Sequence, residues 1–267
     1  MTLYLLLKID GGNGILLVMR QLELNILNKL TKDFPKEIDT LEKATDVLVS
    51  CIELLSAQSP FLRRAFSRQE LIDTDAKNRC ETVQIMLLMH SVTYLKAARQ
   101  LLLTGYLTPS MSCARTAYES SQTADICSTK DGEAMKFLQG KHINKKAQVV
   151  VQVPFTHHNV QEIKRILSEV GVHPNYLSLE NQAIFEGAIS GAENTIMYEF
   201  LFLRCLRTLL AAQSDLLIHF IRAWPHLVNA IPGIRDTASL MKKVMDDTLQ
   251  LVNRKAEEGG LTRHWPS

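Results

Sequence analysis

Arg115 and Glu119 are the first residues whose types and spacing point to chemistry. They stand four positions apart in a segment whose pattern is helical, so the guanidinium and carboxylate can meet on one helix face. Enclosed between helices, the pair acts as an internal brace, or Arg115 holds an anion while Glu119 orients it or moves a proton. Exposed, it contributes only about 0.3–0.5 kcal/mol. The neighbours Ser112, Cys113, Ala114, Ala117, Ser120, Ser121 and Ala124 are small. Small side chains let other helices approach closely, which predicts a central position for this helix and partial enclosure of the pair.

His173 is the second candidate. It precedes Pro174 and Tyr176 in an irregular stretch, and an imidazole there can titrate near neutrality as an acid or base. The third is the basic group Lys141, His142, Lys145 and Lys146, read either as a solvated face or as a phosphate-contacting patch. His158 and Glu162 have the i, i+4 spacing of a metal pair, but no third ligand is fixed, so no metal site and no cofactor are predicted. No phosphate-cradling glycine loop with its Lys, no H-E-x-x-H, no G-x-S-x-G and no paired-cysteine metal motif occurs in the 267 residues. The five cysteines are odd in number and lie in helical patterns, as expected of buried reduced thiols.

The elements that must position these residues read as helices. Apolar residues recur at helical spacing through most of the chain, which predicts a single all-α bundle of about eight helices. The expected helices run over 15–32, from after Pro35 to 57, over a short stretch 60–66, from a cap at Asp73 or Thr74 to Thr104, and over 109–127. A short helix follows over 133–138, then one from a cap at Thr156 to 169, a short one around 182–186, one over 192–222, and a last one from Asp236 or Thr237 to 258. Gly105 is placed in the left-handed position after a helix end, with Thr108 and Pro109 starting the next helix. Residues 128–132 read as a turn. The one candidate β element pairs Leu3–Leu7 with the β-branched run Val149–Val153. Residues 1–14 are read as an N-terminal extension, 15–258 as the domain and 259–267 as a tail.

Net charge is +2, which gives no overall basic field toward nucleic acid. No apolar run reaches the ~18 residues of a membrane span. The N-terminus lacks the features of a signal peptide, so a cytoplasmic setting is predicted. His90 sits on the apolar stripe of its helix and is expected in the core.

Three stretches carry a family resemblance: RQLLLTGYLTPSMSCARTAYESSQTADIC, AMKFLQGKHI and GVHPNYLSL. A Gly-Tyr helix end, Arg-x-x-x-Glu, a Gly-Lys closure and a later His-Pro loop look like a group of uncharacterised prokaryotic all-helical proteins. The likeness spans about 87–179. In architecture that group resembles the higher-eukaryote-and-prokaryote nucleotide-binding (HEPN-type) helical bundles, many of which are RNA-cleaving toxins or phage-defence proteins. The resemblance implies a nuclease or nucleotide-binding effector using Arg115, Glu119 and His173. The chain departs from that class's signature, an Arg and a His separated by four to six residues. Arg222 and His226 are one residue too close, and Arg165 and His173 are too far apart. The leading expectation is therefore a regulatory or partner-binding helical bundle without catalysis, self-associating as a homodimer. The nuclease-like effector and a small-ligand binder with a pocket between helices are the alternatives.

Overall fold

Pro35 sets the first corner of the fold. It sits at the first position of a helix, where its missing N–H has no partner to lose, while Phe34 before it is held out of the helical region at φ −132°. The computed structural model of the chain describes residues 12–59, 61–63, 66–141, 143, 185 and 195–259, with the side chains of 12–20 and 195 excepted. Its helices are α1 (Gly12–Asp33), α2 (Pro35–Gln58), α3 (Arg68–Asp73), α4 (Ala76–Leu103), α5 (Leu107–Thr129), α6 (Asp131–Leu138), α7 (Thr195–Ala223) and α8 (Ile234–Glu258), with a 3-10 helix at Pro225–Ala230. The predicted all-α bundle is what forms, and no strand occurs among the described residues. Both halves of the predicted β element, Leu3–Leu7 and Val149–Val153, lie outside them.

Several boundaries differ from the sequence reading, each for a local reason. Residues 61–63 form a turn in place of the expected helix. The helix comes later, at α3, where Ser67 Oγ accepts from Glu70 N while Ser67 N donates to Glu70 Oε2, a reciprocal capping box. Because α3 uses Asp73 and Thr74, the cap of α4 falls to Asp75, whose Oδ1 accepts from Asn78 N at 2.9 Å. Gly105 has φ +89°, and the bonds Tyr106 N to Leu101 O (2.8 Å) and Gly105 N to Leu102 O (3.1 Å) close the end of α4 as expected of a glycine there. The next helix then starts at once, at Leu107, so Thr108 and Pro109 fall inside its first turn and do not cap it. Proline is tolerated there because first-turn N–H groups have no intrahelical acceptor. The expected turn at 128–132 shrinks to Lys130 alone between α5 and α6. Gly233, at φ +73°, precedes α8 in place of the expected Asp236 or Thr237.

α4 and α5 form a tight antiparallel hairpin. Ser91 Oγ donates to Ala117 O (2.9 Å) and Ser110 Oγ to Ala98 O (2.7 Å), bonds that need the two backbones close together. Ala98, Ala114, Ala117 and Ala124 line this seam, buried. His90 is not in the core. It is exposed beside the seam, with Nδ1 2.9 Å from Ser120 Oγ.

The middle of the bundle belongs to α7. It packs against α2, α4, α5 and α8, whereas α5 packs on α4, α6 and α7. The predicted centre was α5. α7 takes the place because it is apolar around nearly its whole circumference, with Phe200, Leu201, Phe202, Leu203, Leu206, Leu209, Leu210 and Leu217 all buried. It runs alongside α2, with Phe34 stacked on Phe202 at 4.9 Å and Gln213 Nε2 donating to Thr45 Oγ1 at 2.8 Å. α8 returns antiparallel, its Lys255 Nζ 2.6 Å from Glu199 Oε2. Among the described residues, no helix is long and apolar enough to cross a membrane.

Candidate functional site

Arg115 Nε donates to Glu119 Oε1 at 2.9 Å, as the spacing predicts, but the side chains are 31% and 42% exposed. At that exposure the pair is an i, i+4 surface contact more than a buried brace. His173, His142, Lys145 and Lys146 lie outside the described residues, so the grouping of Arg115, Glu119 and His173 is not placed. Lys141 is exposed just past Gly140, whose φ of +69° closes α6. Of the sequence-predicted set, Lys141 is exposed, and Arg115 and Glu119 are partly exposed.

A different constellation converges where the C-terminal halves of α5 and α7 meet the first half of α4. Gln84, Asp125, Ser128, Asp215, Ile218, His219, Arg222 and Ala223 line a cleft of about 180 Å³. The helical repeat explains the convergence. Asp215, His219 and Ala223 project from one side of α7 at four-residue steps, as do Ser121 and Asp125 from α5.

His219 is the anchor, with a side chain only 4% exposed. Its Nε2 lies 2.8 Å from Gln84 Nε2, and its Nδ1 lies 2.8 Å from Asp125 Oδ1. With the Gln84 amide nitrogen as donor, Nε2 is the acceptor and the ring proton sits on Nδ1, facing Asp125. The approach to Asp125 is close but not aligned as a hydrogen bond. Trp224 stacks near the ring at 6.4 Å. Both ring nitrogens are turned to protein groups, which makes His219 a fixed wall of the cleft and not a free proton shuttle.

The carboxylates are unlike. Asp125 is 44% exposed at its side chain. Asp215 is partly buried, and its pKa is pushed up to about 6 by burial first and by Asp125 beside it, against the pull of His219, Arg222 and the Ser121 hydroxyl. Tyr118, buried behind them, has its hydroxyl pKa raised by burial and then by Asp215 and Asp125. Arg222 lies exposed at the mouth. Ile218 and Ala223 supply the apolar part of the lining.

Sequence reasoning missed every one of these residues. Asp215 was visible only as a charge that interrupts the most apolar helix. The signal it offered was the pair Asp215 and His219, one turn apart on a helix otherwise committed to the core. Among the described residues no three His, Cys, Asp or Glu side chains converge for a metal ion. The thiols of Cys51, Cys127 and Cys205 are pushed up to about 12 by burial, which suppresses the nucleophilic thiolate. Comparison of the chain with family models, with curated proteins and with solved structures finds no match in any of the three.

Proposed function

We propose that this helical bundle is a small-ligand binder that uses the α4–α5–α7 cleft, and that its role is regulatory and not catalytic. The observation that carries the reading is His219. A buried imidazole tied to α4 through Gln84 and to α5 through Asp125 lines the wall of a cleft that admits a small molecule. Pre-formed concavities with a few convergent polar groups and a displaced carboxyl pKa are the ordinary form of ligand sites. A ligand there touches three helices at once, so its binding favours one arrangement of the bundle over others, which is what a regulatory input requires.

Binding is tested by calorimetry with a panel of small polar compounds on the full chain and on Ala223→Trp. Ala223 is exposed at the cleft, so an indole there fills the space without disturbing the core. The expected result is saturable binding that the tryptophan abolishes while the helical circular dichroism is unchanged. Binding that Ala223→Trp leaves intact overturns the assignment.

A further inference from the structure

We infer that the cleft takes a small organic amine in its ammonium form, held between the carboxylates of Asp125 and Asp215 against the His219 ring. This deepens the reading above and rests on it.

Two carboxylates from two helices line one cleft, and Arg222 is the arginine that lines it with them. Asp125 lies close enough to oppose the ionisation of Asp215, so a cation placed between them removes that repulsion. The Nε2 of His219 is taken up by the Gln84 amide and is turned away from the ligand. Its Nδ1 is buried, lacks an aligned hydrogen bond and sits 2.8 Å from Asp125 Oδ1, at the carboxylate an ammonium would engage. Arg222 is exposed, and its charge lowers the Asp215 pKa without cancelling the rise. An ammonium suits the interior better than a metal ion, since three metal-ligating side chains do not converge among the described residues.

Size narrows the class. A cavity of about 150 Å³ takes up benzene, so one of about 180 Å³ suits an amine of about five or six heavy atoms. Ile218 and Ala223 offer the apolar contact that a short alkyl chain needs.

The test uses the full chain with butylammonium, butyrate and butanol, titrated calorimetrically at pH 7.5. Butylammonium is expected to bind saturably, more than tenfold weaker in Asp215→Asn and in Asp125→Asn, and not at all in Ala223→Trp. Unchanged butylammonium affinity in both Asn variants overturns the inference. So does binding of butyrate or butanol alone, and if Ala223→Trp removes that binding the cleft assignment survives. If none of the three compounds binds in a manner that Ala223→Trp removes, the amine inference and the cleft reading both fall.

Discussion

Gln84 Nε2 and His219 Nε2 lie 2.8 Å apart across α4 and α7, joining positions 135 residues apart in the chain. Both side chains are buried, Gln84 at 7% and His219 at 6% exposure. Removing the amide alone leaves a buried imidazole nitrogen without its protein partner, which costs about 1–3 kcal/mol. Gln84→Leu is therefore expected to lower stability in urea unfolding by that amount. Gln84→Leu with His219→Leu is expected to lose less than the sum of the two single variants, giving a coupling of about 0.5–2 kcal/mol. Strict additivity would show that the contact contributes nothing.

Asp215→Asn is expected to stabilise the protein at neutral pH. The folded-state pKa of about 6 exceeds the ordinary 3.8, so the folded protein holds this proton more tightly than the unfolded chain does. Stability therefore falls as pH rises through the window from about 4 to about 6, and the full penalty is present above it. Each pKa unit corresponds to about 1.4 kcal/mol, and Asp215 is not fully enclosed, so a gain on the order of 2 kcal/mol at pH 7.5 is expected. For a chain of this size that is a rise in melting temperature of about 4–8 °C. Thermal melts of the two proteins should converge near pH 3.5. A difference that does not change with pH contradicts the assignment.

Gly105→Ala tests the corner between α4 and α5. A Cβ built there meets Ile26 Cδ1 at 2.8 Å and Phe185 Cε1 at 3.3 Å, on a backbone with φ +89°. The left-handed backbone alone costs an L-residue about 1–2 kcal/mol, and the clash with Ile26 adds to it. Chemical denaturation is expected to show a loss of about 2–3 kcal/mol, which combines the backbone and overpacking terms. Ile26→Val removes the Cδ1 atom and should restore part of that loss when combined with Gly105→Ala.

The two arginine–carboxylate pairs should behave differently. Arg79 is 8% exposed at its side chain, pairs with Asp131 at 2.7 Å, and donates to the Leu71 and Ile72 carbonyls, so it fastens α3 and α6 to α4. Arg79→Met is expected to cost about 2–3 kcal/mol, below the figure for a wholly buried pair because Asp131 is 40% exposed and can rehydrate. Arg115→Ala is expected to cost about 0.5 kcal/mol or less. Equal losses in urea unfolding would contradict this ranking.

The all-helical architecture was legible because apolar residues recur at 3.6-residue spacing across each long helix, and because Gly105 and Gly140 mark their ends. Exact starts were less legible. Asp73, Thr74 and Asp75 are all acceptable caps, and only the presence of α3 decides among them. Thr108-Pro109 is a good helix start in isolation, yet the three-residue corner of Thr104, Gly105 and Tyr106 starts the helix earlier. The centre was misread because small residues in α5 signal close approach to one neighbour, α4, whereas an all-round apolar surface signals burial on every side, and that belongs to α7. The cleft was illegible for another reason. Gln84, Asp125 and His219 become neighbours only through helix packing, and no spacing along the chain encodes it.

The placement of α7 also bears on how the protein is made. Helices α1 to α6 leave the ribosome first, while the segment that fills the space among α2, α4 and α5 ends at Ala223, 85 residues after α6 finishes at Leu138. At about 5–20 residues per second, translation leaves that groove without its insert for roughly 4–17 s. A nascent chain of this design exposes the apolar faces of α2, α4 and α5 throughout that interval, which is when it is most prone to aggregate.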